Sequence, residues 1–209
     1  MKQWKCSVCG YIHQGDEPPK NCPVCGADRS KFIEYDPAAE TAVKQNSFGV
    51  GDIKTEPAEA ASISKYDRLF DLMVRHHVHP MSVHIPNGML PASVLFILLA
   101  ALLNCIGLGQ AAFYNLVFVA LTMPLVLFSG YLEWQRKYNG ELTRLFIIKM
   151  GCAATVTLSA AILVLWFIID PKAANDPLYR KGPFLFVNVI MLAAAGTAGF
   201  IGGKLVFKD

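Results

Sequence analysis

Two sets of residues in this chain have types and spacings suited to chemistry, and the first is a set of cysteines near its start. They form two C-x-x-C pairs with twelve residues between the pairs: Cys6, Cys9, Cys22 and Cys25. Each pair can direct two thiolates at one point, and two such pairs complete a tetrahedral site of four sulfurs. Disulfides are the alternative, but a reducing cytoplasm and the paired spacing both argue against them. The spacing therefore predicts a metal site, and its four thiolates suit iron and zinc alike.

The second set is a cluster of histidines that precedes a long apolar stretch. It contains four of the five histidines of the chain, within R-H-H-V-H-P-M-S-V-H: His76, His77, His79 and His84. Imidazole can bind a metal or haem, and because it titrates near neutral pH it can also carry protons in a redox reaction. Which of these roles applies depends on the elements that position the cluster.

Long uncharged runs dominate the rest of the chain, which has 209 residues, of which 54% are apolar. Residues 85–132, 150–169 and 184–203 contain no Asp, Glu, Lys or Arg. A bilayer-spanning helix needs ~20 mainly apolar residues, so the first run is long enough for two helices with a turn at 104–110. The pattern predicts an all-α membrane domain of four transmembrane helices, at about 85–106, 111–132, 145–169 and 184–207.

Lysines and arginines near the ends of these helices indicate their orientation. Eight lie on the side of the N-terminus, and three share one loop on the other side, Lys172, Arg180 and Lys181. The positive-inside rule then predicts that both termini are cytoplasmic, in a bacterial inner membrane. No apolar segment follows the starting M-K-Q-W-K, so we expect no signal peptide. The net charge of +3 is small and scattered, which does not favour a nucleic acid as partner.

Two segments connect the cysteine region to the membrane domain. Residues 35–62 are rich in Ala, Glu, Thr, Pro and Gly and predict a flexible linker with a reach of roughly 30 Å. The metal domain would then reach its own membrane domain and a soluble partner in turn, or the linker is a simple spacer. Residues 63–79 predict an amphipathic helix on the membrane surface, capped by Ser64 and ending near Val78 or His79 because Pro80 follows.

Residues 3–32 resemble the compact rubredoxin-type domain attached to rubrerythrins. The resemblance is carried by W-K-C-x-V-C-G-Y-I-H-x-G-D-E-P-P, by C-P-V-C-G-A and by a closing Lys-Phe. It implies a small domain of short strands, residues 1–34, in which the four cysteines bind one iron ion that carries single electrons. It also implies an apolar shield around that ion: Trp4, Tyr11, Ile12 and Phe32. A C-P-x-C-G turn also occurs in zinc ribbons, so zinc remains the alternative.

Residues 77–207 resemble a family of predicted bacterial four-helix membrane domains. The shared features are the opening H-P-M-S-V-H-I-P, then S-G-Y-L-E-W after the second span and G-G-K-L-V-F at the end. This resemblance implies the architecture of residues 80–209 and no particular activity.

The ionisable residues of the membrane domain gather at the predicted cytoplasmic end, which suits a quinone head group. Reduction of a quinone takes two electrons and two protons, so its site needs hydrogen-bond donors and a proton relay. We predict that His84 holds a quinone carbonyl and that further residues of the site supply hydrogen bonds or protons: His77, His79, Glu133 and Lys149. Taken singly, the lysines have a simpler interpretation, which is that they extend to the membrane surface.

Haem b is the alternative cofactor of the membrane domain. Its axial ligands would be His76 or His77 with His84, or one histidine with a methionine from the later spans: Met123, Met150 or Met191.

The sequence therefore favours a membrane-anchored electron carrier whose iron exchanges electrons with a quinone or haem, or with soluble redox partners. The alternative is a non-redox membrane protein with a structural or docking zinc ribbon. The small-residue spacing Gly199-x-x-x-Gly203 permits close helix packing, within the chain or in a homodimer.

Overall fold

In the computed structural model the described residues are 2–36, 65–171, 173 and 178–208. The predicted linker lies outside the described residues except for Tyr35 and Asp36, and so does the predicted cap, Ser64.

The cysteine region folds on a small antiparallel sheet with the strand order β2-β1-β3. The strands are β1, Gln3–Cys6; β2, Ile12–Gln14; and β3, Phe32–Glu34. A short 3-10 helix, Arg29–Lys31, leads into β3, and the Asp28 carboxylate accepts a hydrogen bond of 2.9 Å from the backbone N–H of Ser30 at its start. This hydrogen bond lowers the pKa of Asp28. We call residues 2–36 the knuckle domain.

The rest of the chain is helical. Its helices are α1, Lys65–Arg75; α2, Val78–Ser82; α3, His84–Leu103; α4, Ile106–Lys137; α5, Arg144–Ile169; and α6, Leu178–Phe207. Four segments among the described residues are long and apolar enough to span a membrane: Val78–Leu103, Ile106–Lys137, Arg144–Ile169 and Gly182–Phe207. The turn between α3 and α4 is shorter than the sequence suggests, because Asn104 adopts a left-handed conformation (φ 53°) and α4 begins two residues later.

The break before the first span also differs in position from the prediction. α1 ends at Arg75, His77 adopts a left-handed conformation (φ 54°), and α2 then runs through Pro80. Pro80 is tolerated there because it lies in the first turn of α2, where its missing N–H would have no partner within the helix. The chain therefore bends at His77 and not just before Pro80.

The four long helices form a bundle, with α3 against α4, α4 against α5, α5 against α6 and α6 against α3. Its centre is a cluster of buried side chains from all four helices, including Leu90, Leu116, Leu163 and Met191. Large apolar side chains cover the outside, among them Leu102, Leu121, Ile169 and Phe200. An apolar exterior suits lipid, since hydrocarbon chains solvate such side chains and water does not.

Candidate metal centre and adjoining cavity

The four cysteine sulfurs lie together, all within 4.8 Å of one another. Two of the separations are 3.8 Å, between Cys6 and Cys25, and 3.6 Å, between Cys9 and Cys22. A tetrahedral metal with metal–sulfur bonds of ~2.3 Å would have sulfur–sulfur edges of about 3.8 Å. The spacing therefore fits a four-coordinate metal ion held by sulfur alone.

Two similar backbone turns build this arrangement. In each, the N–H of a glycine donates to the carbonyl oxygen of the pair's first cysteine: Gly10 to Cys6 at 2.8 Å, and Gly26 to Cys22 at 2.9 Å. Both glycines have φ of +73°, a conformation that L side chains rarely adopt. The glycine after each C-x-x-C pair therefore allows the turn that brings its two sulfurs together.

The thiols share protons unequally in this cage. Hydrogen bonds from the thiols of Cys25 and Cys9 lower the pKa of Cys22, while the hydrogen bond with Cys22 raises the pKa of Cys9. The cage therefore stabilises a thiolate, which is the form of cysteine that binds metals.

The knuckle domain packs against the end of the bundle where α4 ends and α5 begins. One apolar cluster joins residues of both parts: Cys6, Val8, Cys22, Val24, Cys25, Ala27 and Phe32 with Tyr138, Phe146, Ile201 and Leu205. Thr143 Oγ1 donates a hydrogen bond to the carbonyl oxygen of Cys25, and Lys31 forms an ion pair with Glu141. The cysteine cage thus lies directly on the membrane domain.

A cavity of about 300 Å³ opens in the membrane domain at this same end. Its volume lies at the lower limit of common ligand sites. It brings together four of the residues predicted to bind a cofactor: His79, His84, Glu133 and Lys149. His77 lies instead at the exposed bend between α1 and α2 and lines a much smaller pocket. Of the methionines considered as haem ligands, Met123 lines the cavity, while Met150 is exposed and Met191 is buried in the bundle core.

His79 is held by small polar residues of its own helix and of α4. Its Nδ1 atom lies 3.3 Å from Ser129 Oγ, which in turn lies 3.3 Å from Ser82 Oγ. A β-carbon at Gly130 would lie only 2.8 Å from His79 Cε1, so the absence of a side chain at Gly130 makes room for the imidazole.

Glu133 and Lys149 place opposite charges in the cavity wall near His79. The Glu133 carboxylate is 12% exposed and pairs with Lys137 Nζ at 3.2 Å, one helical turn further along α4. Lys149 lies against the glycine-lined part of α6, with its Nζ 4.0 Å from the position of a β-carbon at Gly202. A partly buried site with both a carboxylate and an ammonium group can exchange protons with a ligand that changes charge.

Sequence reasoning missed Tyr138, which belongs both to the apolar cluster of the cysteines and to the cavity wall. It is 5% exposed, and its ring lies 4.9 Å from that of Phe146. Burial raises the pKa of its phenol, and the nearby Glu133, Cys9 and Cys25 raise it further, so the hydroxyl stays protonated. In the sequence it follows a membrane span, where aromatic residues are common, and nothing local distinguishes it.

Thiolate turns on a small antiparallel sheet, followed by four apolar helices, define a membrane protein that carries a metal-binding knuckle. Residues 75–209 match the family described as "Predicted membrane protein (DUF2231)". This match covers more than half of the chain, which therefore belongs to that family. Residues 4–33 match the rubredoxin-like domain of rubrerythrins.

Curated relatives resemble the first part of the chain. Reverse rubrerythrin-1 of Clostridium acetobutylicum is 46% identical over 50 residues, which are 24% of this chain and 28% of that protein. A putative rubrerythrin of Methanocaldococcus jannaschii is 47% identical over 30 residues, 14% of this chain and 15% of that protein. Rubredoxin-2 of Chlorobaculum tepidum is 39% identical over 51 residues, 16% of this chain and 98% of that protein. The chain thus spans less than a third of either rubrerythrin. No solved structure matches the chain.

Proposed function

We propose that this protein is a membrane-anchored electron carrier, in which the cysteine cage holds one iron ion and the adjoining cavity binds a quinone. The observation that carries this proposal is the common wall between the cage and the cavity, to which Tyr138 and Leu205 contribute. An iron ion bound by four thiolates exchanges one electron at a time. The rubredoxin-like character of residues 4–33 favours iron over zinc in a sulfur set that fits both.

The cavity residues supply what a quinone needs besides electrons. Its reduction to a quinol adds two electrons and two protons, one proton to each carbonyl oxygen. We assign His84 as the donor to one carbonyl, because it lines the cavity and an imidazole N–H can donate a hydrogen bond. We assign the delivery of protons to Glu133, because it pairs with Lys137 near the exposed end of α4. Lys149 and His79 are the further hydrogen-bonding partners.

The proposal includes a position in the cell. The positive-inside rule supports a bacterial inner membrane with both termini in the cytoplasm, so the knuckle domain would meet cytoplasmic redox proteins. Since one electron moves at a time, two encounters with a soluble donor are needed for each quinol formed.

The test uses the full chain in detergent with one histidine changed at a time. His84→Ala should abolish reoxidation of the reduced protein by decylubiquinone while its visible iron spectrum stays intact. His76→Ala is the matched control, because His76 is exposed on the bend and does not line the cavity. A colourless, zinc-loaded protein would contradict the proposal, and so would reoxidation of the His84→Ala variant at the wild-type rate.

A further inference from the structure

We infer that electrons pass while the knuckle domain is docked as described, and that Tyr138 is the positioning residue that joins the cysteine cage to the cavity. This inference rests on the proposed function and adds to it the contact through which the two parts communicate. In this arrangement the knuckle domain transfers electrons from a fixed docking site on the membrane domain. It does not have to move on a flexible linker to do so.

Apolar contacts, a hydrogen bond and an ion pair together form the docking site. Phe146 and Leu205 of the bundle share one apolar cluster with Cys25, whose side chain is fully buried. The hydrogen bond from Thr143 fixes the backbone of Cys25 itself. The ion pair between Lys31 and Glu141 closes one edge of the interface. These contacts orient the cage, because two of them are made by Cys25, which is one of its four cysteines.

Tyr138 occupies the space between the two sites. Among the described residues, it and Leu205 belong both to the cluster of the cysteines and to the cavity wall. Phe146 packs against its ring, and Lys137 Nζ lies 5.5 Å from the ring centre. The ring is therefore confined, and it fills space between the cluster of the cysteines and the cavity.

Packing at this position matters because electron tunnelling slows exponentially with distance, and it slows more steeply across empty space than through packed atoms. A smaller side chain at position 138 would leave a void, since protein interiors relax only partially around deleted atoms. Electron exchange would then slow although the metal ligands and the quinone-binding groups remain in place.

Zero-length cross-linking tests the docked position without reference to activity. A carbodiimide joins the Lys31 amine to the Glu141 carboxylate as an amide, taking up the water that is released, and peptide mass spectrometry detects the product. We expect the Lys31–Glu141 cross-link in the full chain and its loss in Lys31→Gln. Arg29→Gln is the matched control, because its ion pair with Glu17 lies within the knuckle domain, and it should leave the cross-link unchanged.

Substitution of Tyr138 tests the junction. Tyr138→Leu should slow reoxidation of the reduced protein by decylubiquinone between about tenfold and about a hundredfold, the order by which a misplacement of about 1 Å slows positioned reactions. The visible spectrum, the reduction potential and the cross-link should not change. Tyr138→Phe keeps the ring and should keep the rate, as should Tyr131→Leu, which removes an exposed tyrosine of α4.

The outcomes are distinct. Absence of the cross-link in the wild type, or a wild-type rate in Tyr138→Leu, would overturn the inference. If Tyr138→Leu loses its metal, the reoxidation rate of the cross-linked wild type decides whether the docked position is the active one. A rate equal to that of the uncross-linked protein supports the docked position. Loss of reoxidation after cross-linking overturns it. Failure of the wild type to react with quinone at all would instead contradict the proposed function.

Discussion

Thr143, in the loop before α5, donates a hydrogen bond to the backbone carbonyl of Cys25, 118 positions earlier in the sequence. The oxygen of one metal-binding turn is thus satisfied by the membrane domain. Because the acceptor belongs to Cys25, this hydrogen bond couples the docking of the knuckle domain to the geometry of the turn that holds Cys22 and Cys25.

Thr143→Val should therefore weaken docking by about 1 kcal/mol, the usual net contribution of one hydrogen bond. We expect faster hydrogen–deuterium exchange of residues 22–27 while the metal stays bound. Thr155→Val is the control, since Thr155 donates to Gly151 within α5, far from the interface. Equal exchange in wild type and Thr143→Val would show that this bond does not hold the knuckle domain.

Gly130→Ala should displace His79, because the added carbon would lie 2.8 Å from the imidazole. We expect reoxidation by quinone to fall strongly and the metal spectrum to be unaffected. Gly151→Ala is a matched change on α5 with open space around it, and its effect on stability should stay within about 1 kcal/mol. Equal activity of the two variants would remove His79 from the site.

Cys25→Ser should abolish metal binding and unfold the knuckle domain, because so small a domain depends on its metal for stability. Metal analysis should show loss of the ion, and residues 2–36 should lose protection from exchange, while the helical circular dichroism of the bundle persists. Cys152→Ser, whose thiol is outside the cage, should retain the metal. Metal retained in Cys25→Ser would contradict the assignment of the four ligands.

Arg136→Gln should weaken the docking of α1 on α4. Arg136 pairs with both Asp67 and Asp71, which lie one turn apart on α1 and repel each other without it. We expect a loss of about 1 kcal/mol in the docking of α1, reduced at high salt because exposed ion pairs are screened. Exchange of the α1 amides at low and high salt measures this loss, and salt-independent exchange would argue against an ionic clamp. Arg29→Gln again serves as the control.

The features that were visible in the sequence are those encoded locally. The sulfur cage follows from C-x-x-C spacing and a glycine after each pair, and the four spans follow from uninterrupted apolar runs. The cavity is lined in part by residues that the sequence analysis had grouped, such as His84 and Lys149. The ends of antiparallel helices bring these two residues to the same depth in the membrane. The position of a residue along a membrane-spanning helix gives its depth in the membrane, and residues at a common depth can be grouped on that basis.

The features that were not visible depend on packing between distant segments. Tyr138 gains its position only when residues 22–32 fold onto the end of the bundle, and no local pattern encodes that contact. The bend at His77 was also missed, because the rule for residues before proline places the break nearer to Pro80. Here the first turn of α2 accommodates Pro80, and the strain falls on His77.

Anaerobic titration of the reduced, full-length protein with decylubiquinone tests the central claim most directly. If one iron ion per chain passes its electron to a quinone in the cavity, the visible absorption of the oxidised iron should return completely at one quinone for every two protein molecules, with quinol as the product. The rate should saturate with quinone concentration, as expected for a bound ligand. A protein without iron, or reduced iron that stays reduced in excess quinone, would contradict the account.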